Sequence, residues 1–253
     1  MIACLPMYER PENADAHDRF WTSIRTNPSL ARHALPEALT RNADLWETWS
    51  ATDLFLSQTC GLPYRTTLHD HVTLLGTADF GVSEKPGFYN SILVANRTDP
   101  RRTLPDFAGA LLAVNDPVSQ SGWAAPQAHM EALGLPLFDR VLLTGAHRAS
   151  ALAVAEGRAE VAAIDAITWR QIVQWDAFAE GLKVIDETGP TPGLPYIAAS
   201  GTNAPETAAA MHQAIAELSA EDRARLGGIK DLIAIHPNAY LTLPDAPMFP
   251  QTG

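Results

Sequence analysis

The chain has 253 residues, a length that suits one large domain or two lobes of ordinary size. Hydrophobic residues make up 46% and charged residues 19%, which is typical of a soluble globular protein rather than a disordered or fibrous one. The net charge of −11 argues against nucleic acid or an anionic membrane as partner, because both attract a basic surface. No stretch approaches the roughly 18–20 apolar residues that cross a bilayer, so we expect no direct membrane insertion.

The N-terminal sequence MIACLPMYERP lacks a basic region, an apolar run of about seven residues and a small-residue cleavage site. Ile2–Leu5 instead predicts a buried strand. As written, the sequence therefore predicts a cytoplasmic protein. The two cysteines, Cys4 and Cys60, are too few for a disulfide framework or a four-ligand zinc site. We expect both to be buried thiols.

The first part of the chain predicts mixed α/β structure. A helix is expected around Phe20, Trp21 and Ile24, and a strand over Asp53–Ser57. After the breakers Gly61 and Pro63, the run Val72–Val82 predicts one or two further strands.

The middle of the chain predicts three strands, each followed by a polar turn and a helix. The apolar runs are Leu111–Asn115, Arg140–Leu143 and Val161–Ile164. The first helix runs to Leu133 and is closed by Gly134, in the position that glycine favours after a helix. Such alternation requires right-handed crossovers and a parallel sheet.

The remaining chain predicts a strand near Leu182, a Pro- and Gly-rich stretch, and helices over Ala204–Leu218 and Ala220–Leu226, the second capped by Ser219. A compact middle module between two flanking segments indicates two lobes. We assign residues 1–90 and 190–253 to lobe one and residues 91–189 to lobe two. Two crossings, near Tyr89–Ala95 and Asp186–Pro195, would form a hinge with a cleft between the lobes.

Polar residues follow each strand of the middle module, where a parallel sheet binds its ligands. Ser119 and Ser121 flank a helix start after the first strand, His147 follows the second, and Asp165 follows the third. Hydroxyls and backbone N–H groups at a helix start can hold an anion, and a bound anion would favour protonated histidine. Helix capping alone would also explain Ser119 or Asp165. These residues predict a polar site of the size of a small anion.

Several segments resemble the phosphate/phosphonate/phosphite-binding family of ABC-transporter substrate-binding proteins. They are NDPVSQSG, TGAHRASALAVAEGRAEVAAID, LPMY, LFLSQTCGLPYRT, GFYNSILV and PGLPYIAAS. The resemblance implies the type II periplasmic-binding-protein fold, α/β with two lobes, each a mostly parallel sheet flanked by helices, and an interlobe cleft. It implies binding of a small oxyanion for transport or sensing, no cofactor, no catalysis, and an ABC-transporter membrane component as partner. The location would be periplasmic if a signal is missing from this sequence.

The resemblance also implies ligand-binding roles for individual residues. The Ser119–Ser121 turn matches the turn that holds the oxyanion, with Gln120 where relatives often carry a hydroxyl, a difference that would affect ligand choice. His147 matches a ligand-contacting histidine, and Asp165 an acidic residue of the cleft wall. The other positions expected at the cleft are Tyr8, Gln58, Tyr64 and Tyr89.

Other functions remain possible at this level. A cytosolic enzyme of the menaquinone-pathway type, acting on a carboxylate, would share the fold and lack an export signal. A cytosolic sensor domain ranks below it, because no DNA-binding helix pair accompanies the fold. His69 and His71 would share a strand face as a metal pair, but no third and fourth ligands are evident, and we expect no metal. Cys60 is better explained as a structural thiol than as a nucleophile.

Overall fold

The computed structural model describes residues 1–250, and the chain divides into two compact units. The first unit comprises Met1–Phe88 and Pro192–Thr242, and the second comprises Tyr89–Thr191 and the segment that begins at Leu243. The sequence analysis placed this last segment in the first lobe. The structure assigns it to the second unit, where its carbonyl and aromatic groups pack on a buried tryptophan.

The strands, in chain order, are β1 (Ile2–Cys4), β2 (Leu54–Gln58), β3 (Val72–Asp79), β4 (Phe88–Tyr89), β5 (Ser91–Asn96), β6 (Leu112–Val114), β7 (Val141–Leu143), β8 (Val161–Asp165), β9 (Leu182–Glu187), β10 (Thr191–Pro192), β11 (Pro195–Ala199) and β12 (Asp231–Ile233). β4 and β10 form a two-stranded pair.

The α-helices are α1 (Ala14–Arg25), α2 (Leu45–Trp49), α3 (Gly61–Pro63), α4 (Ala125–Ala132), α5 (His147–Ala155), α6 (Ala166–Trp175), α7 (Ala204–Ala216), α8 (Ala220–Arg225) and α9 (Asn238–Leu241). Two π-helical turns adjoin them, Tyr64–Leu68 after α3 and Gln120–Ala124 before α4. Within the described residues, none of the helices combines the length and apolar character that crossing a membrane requires.

The first unit is built on a five-stranded sheet in the order β1-β2-β11-β3-β12. Only the β1–β2 pairing is parallel; β11 runs antiparallel to β2 and β3, and β12 runs antiparallel to β3. The expected mostly parallel sheet is therefore wrong for this unit. The returning strand β11 inserts between two strands of common direction and opposes both.

The second unit carries the sheet β7-β6-β8-β5-β9. The pairs β6–β7 and β6–β8 are parallel, as the helical crossovers α4 and α5 between these strands require. β5 lies between β8 and β9 and is antiparallel to both. Half of the pairings in this sheet are thus antiparallel, because the strand that opens the unit runs against the strands that follow it.

Helix α1 shows why local sequence predicts parts of this fold well. Its buried residues Ala16, Phe20, Trp21 and Ile24 recur at helical spacing and form one apolar stripe. Ser219 caps α8 as expected, accepting a hydrogen bond from the Asp222 N–H at 3.0 Å.

Each unit has a core of its own. In the second unit, the core residues are Leu93, Ala95, Leu104, Phe107, Ala110, Leu112, Val114, Trp123, Met130, Phe138, Val161 and Ala163. In the first unit, one cluster gathers Trp49, Leu54, Tyr64, Leu68, Ile197 and Tyr240.

Tyr240 fixes the end of the first unit. Its ring is fully buried and meets Tyr64 edge-on at 5.0 Å between centroids. Its hydroxyl donates to the Gly193 carbonyl at 2.8 Å and shares a second hydrogen bond with the Thr77 hydroxyl. A short helix, α9, is thereby held against β3 and the loop between β10 and β11, both of which lie far from it in sequence.

We expect Tyr240→Phe to lower the free energy of unfolding by about 1–3 kcal/mol, because the Gly193 carbonyl loses a buried donor. Urea unfolding would measure the change. Thr77→Val and the double variant complete a double-mutant cycle. The two losses of unfolding free energy should be less than additive, because the two hydroxyls share a hydrogen bond. Strict additivity would show that the two hydroxyls do not interact.

Candidate functional site

Three neighbouring strand ends of the second unit lie at one edge of its sheet. β6 pairs in parallel with β7 on one side and β8 on the other, with Leu112 opposite both Val141 and Val161. The residues that follow these strands must therefore emerge at the same edge. This is where an open α/β sheet presents its ligand-binding groups.

The turn after β6 is the best defined of the three. Ser119 is buried and caps the helix that follows, accepting a hydrogen bond from the Gly122 N–H at 2.9 Å. The Ser119 carbonyl accepts from both Trp123 N at 3.2 Å and Ala124 N at 3.1 Å, so the helix begins with a wide π-turn. Such turns occur frequently at functional sites. Their first N–H groups have no acceptor within the helix, and a helix N-terminus favours negative charge.

Gly122 leaves room for a neighbouring side chain in this turn, and a larger residue here would have to displace it. A Cβ on residue 122 would lie 1.8 Å from Asn115 Oδ1 and 3.1 Å from Ser119 Oγ. The Asn115 side chain, which follows β6, thus lies close against the turn.

Ser121 joins the first two strand ends directly. Its Oγ lies 2.9 Å from Nε2 of His147, the first residue of α5, and its backbone carbonyl accepts from the Ser91 hydroxyl at 2.9 Å. Ser121 and Ser91 are both buried. The sequence analysis missed Ser91. The sequence feature that could have identified Ser91 is a hydroxyl residue at the start of a largely apolar strand.

The imidazole of His147 is neutral at neutral pH. Burial lowers the pKa of His147 from 6.5 to about 4, and a hydrogen bond to the Ala163 backbone opposes the shift. Its Nδ1 is inaccessible to solvent, although part of the residue reaches the surface. The expected protonated form is therefore not that of the ligand-free protein. Charge on this ring would have to come with a bound anion.

Asp165 caps α6. It is buried at the end of β8, and its Oδ1 accepts hydrogen bonds from Ile167 N at 2.8 Å and Thr168 N at 3.1 Å. This is the capping role that the sequence left open beside ligand binding. The carboxylate itself thus occupies the N-terminal end of α6.

Gln120 and Tyr89 are also buried in the second unit. Gln120 is the first residue of the π-turn, between the two serines. Tyr89 ends β4, two residues before Ser91, whose hydroxyl supports Ser121. Both residues therefore belong to the segments that build this edge.

In the first unit, Tyr8 and Gln58 line a common internal cavity of about 20 Å³, which is large enough for one water molecule. His17 and Tyr196 contribute further polar walls, and Gln58 Nε2 donates to the Leu194 carbonyl at 3.4 Å. Phe80 packs edge-on against Tyr8 at 5.3 Å between centroids. Tyr64 instead lies in the hydrophobic cluster with Tyr240, as an ordinary packing aromatic would.

The other candidates from the sequence stand as follows. Cys4 is buried, and burial raises the pKa of its thiol. Cys60 is only half-buried, which corrects the expectation of two buried thiols, and the two cysteines are not joined in a disulfide.

His69, one of the two histidines considered as a metal pair, has its Nε2 3.3 Å from Asp70 Oδ2. Across residues 1–250, no group of three or more His, Cys, Asp or Glu side chains is placed to hold a metal ion.

Comparison with known proteins bears on this arrangement. Residues 56–239 match the family model described as the periplasmic substrate-binding protein of phosphonate ABC transporters. The chain belongs to this family. The match contains both strand ends that Ser121 and His147 occupy, and it spans most of the chain. No curated protein sequence matches at a significant level.

Solved structures share the fold at low sequence identity. A binding protein component of an ABC phosphonate transporter from Pseudomonas aeruginosa is similar with a TM-score of 0.69 and 16% identity, covering 95% of this chain and 82% of that one. PhnD1 from Prochlorococcus marinus in complex with methylphosphonate is similar with a TM-score of 0.68 and 12% identity, covering 94% of each chain. XAC2383 from Xanthomonas citri bound to ATP is similar with a TM-score of 0.63 and 14% identity, covering 96% of this chain and 94% of that one.

These findings confirm the predicted family, the two-lobed periplasmic-binding-protein fold and the function class of substrate binding. The family is the substrate-binding component of a transporter and not a class of enzymes, so the alternative of a carboxylate-processing enzyme is not supported. The family is also described as periplasmic, in contrast to the location expected from the N-terminal sequence.

We expect Gly122→Ala to weaken ligand binding, because the added methyl must displace Asn115 and crowd the Ser119 cap. Overpacking of this kind typically costs about 1–3 kcal/mol of stability. Calorimetric titration and thermal unfolding would measure both effects. The matched control is Gly181→Ala, because Gly181 has neither a positive φ nor a close neighbour. Gly134→Ala is unsuitable, because Gly134 has a φ of +67°. Wild-type affinity in Gly122→Ala would show that the turn accommodates the methyl group.

His147 should make the ligand-free protein less stable in acid. Its folded-state pKa of about 4 lies below the ordinary 6.5, so the unfolded chain binds the proton more readily. The stability associated with the neutral ring is present above pH 6.5 and is lost as the pH falls toward 4. In His147→Gln this loss should vanish, so unfolding free energies of the two proteins should converge or cross toward acid pH. Parallel profiles would contradict the assignment, and His17, retained in both proteins, cancels in the comparison.

Proposed function

We propose that the protein binds a small oxyanion of the phosphate, phosphite or phosphonate class at the turn Ser119–Gly122, with His147 as a second contact. The observation that carries this proposal is the hydrogen bond between Ser121 Oγ and His147 Nε2. It brings a hydroxyl and an imidazole from two strand ends together at a helix N-terminus. Membership of the phosphonate-type family supports the ligand class.

The turn Ser119–Gly122 would hold the proposed ligand with neutral donors, and no lysine or arginine of the turn would take part. The turn contains no lysine or arginine, and its donors are hydroxyls, the Gln120 amide and backbone N–H groups. Hydrogen bonds from neutral groups to a charged oxygen are strong when water is excluded, and both serines are buried. This explains how a chain of net charge −11 can accept an anion.

His147 would respond to the ligand. An anion next to the ring stabilises the protonated imidazole and opposes the burial that lowers its pKa. Nε2 would then donate to the ligand in place of its bond to Ser121, and the Ser121 hydroxyl would turn toward the ligand as well. The Ser121–His147 bond thus satisfies both groups until an anion replaces it.

We propose Tyr8 and Gln58 of the first unit as further ligand contacts, because the resemblance to the family implies ligand-binding roles for both residues. Asp165 and Tyr89 are proposed to border the ligand in the second unit. The partner after binding would be the membrane component of an ABC transporter, as for the family.

A panel of oxyanions tests the proposal directly. A ligand that binds only the folded protein raises its melting temperature, so thermal unfolding with phosphate, phosphite, methylphosphonate and sulfate should show a shift for at least one. A carboxylate such as succinate should produce no shift and should not be consumed. No shift with any of the four oxyanions would contradict the proposed function.

We expect Ser121→Ala to weaken the affinity for the oxyanion identified in this way. The loss of one hydrogen bond to a charged group is about 1.5–3 kcal/mol, or roughly tenfold to more than a hundredfold in Kd. Calorimetric titration would measure it. The matched control is Ser200→Ala, which removes an exposed hydroxyl in the first unit. Equal affinities of wild type and Ser121→Ala would remove Ser121 from the site.

A further inference from the structure

The C-terminal segment Leu243–Pro250, here the C-terminal strap, contacts the residue that closes the proposed oxyanion turn. The indole Nε1 of Trp123 donates a hydrogen bond to the Pro247 carbonyl at 2.9 Å. The Phe249 ring meets the same indole edge-on, with 4.9 Å between centroids and 67° between the planes. Trp123 is 1% exposed, so these contacts are made inside the second unit.

The strap presents alternate residues to the protein. Pro247 and Phe249 are half-buried at the indole, whereas Met248 between them is 92% exposed. The strap contains neither helix nor strand. Ala246 and Phe249 also pack against the core cluster of the second unit. Its contacts with the unit are therefore made by side chains and single carbonyls rather than by a sheet ladder.

Trp123 transmits this contact to the turn through its backbone. The N–H groups of Trp123 and Ala124 both bond to the Ser119 carbonyl, and the Gly122 N–H bonds to the Ser119 side chain. The indole of Trp123 is thus bonded to the strap at its far end, while its backbone is bonded to the Ser119 carbonyl. Ser119 and Ser121 lie within one helical turn of this residue.

We propose that the C-terminal strap is a positioning element of the oxyanion site, which fixes the Ser119–Gly122 turn by holding the Trp123 indole. This inference rests on the proposed function of that turn. Removing the Phe249 ring or the indole N–H removes none of the proposed ligand-contacting groups, but it allows the π-turn that carries them to relax. Donors that are no longer aligned bind the anion less tightly, although the chain is still folded.

The experiment compares Phe249→Ala and Trp123→Phe with Met248→Ala as the matched control in the same segment. Titration calorimetry with inorganic phosphate and methylphosphonate gives Kd and the fraction of binding-competent protein separately. Hydrogen exchange measures the protection of the Trp123 and Ala124 amides against that of β8. Trp123→Phe keeps an aromatic ring in the core and tests the proposal if Phe249→Ala does not fold.

We expect Kd to rise roughly threefold to thirtyfold in Phe249→Ala and in Trp123→Phe, the size of effect seen for residues that act through a neighbour. The fraction of binding-competent protein should stay the same in these two variants. The amides of residues 123 and 124 should exchange faster, while exchange in β8 should not change. Met248→Ala should bind and exchange like the wild type. A merely structural role would lower the competent fraction and leave Kd unchanged, which would overturn the proposal.

The outcomes also separate this inference from the proposed function. If wild-type protein binds neither probe, the function proposed for the turn fails on its own. Exchange at Trp123 and Ala124 still decides the role of the strap, since unchanged protection in Phe249→Ala would show that the strap does not hold the turn.

Discussion

Three parallel strands, β6, β7 and β8, bring segments that are distant in the chain to one edge of a sheet. Ser121 and His147 lie 26 positions apart, yet their side chains form a hydrogen bond of 2.9 Å. This juxtaposition follows from the right-handed crossovers through α4 and α5, which force the strands to share a direction. The cap by Ser119 and the hydrogen bond from Ser91 add support to the turn after β6, and the Asn115 side chain lies close against the same turn.

In the proposed site, the donor groups form hydrogen bonds that a ligand would replace. Ser121 is paired with His147, and Asp165 fills the N-terminal end of α6. Burial keeps the histidine neutral, so the ligand-free edge carries no positive side chain at His147. An anion therefore has to supply the interaction that stabilises protonation. Such a site discriminates by hydrogen-bond geometry more than by net charge, which is consistent with an acidic protein whose family binds phosphonates.

The two units rely on separate cores, and each contains a buried aromatic residue whose polar atom hydrogen-bonds to a segment that is remote in sequence. Tyr240 bonds to Gly193 and Thr77 in the first unit, and Trp123 receives the C-terminal strap in the second. The strap is a long-range contact within the second unit, since Pro247 lies 124 positions after Trp123. Long-range contacts of this kind give an irregular segment a defined place where local structure cannot.

Local sequence predicts the alternation of strands and helices in the middle of the chain, the helix starts at Ser119 and Asp165, and the family. These features depend on apolar runs, caps and short motifs within single segments. Other features could not be predicted in this way. The antiparallel insertion of β5 and β11, the neutral state of His147 and the roles of Ser91 and Trp123 depend on neighbours from remote segments. The path of the C-terminal strap is the clearest case: nothing local distinguishes Pro247 and Phe249 as partners of Trp123, and only the folded core offers them a buried indole.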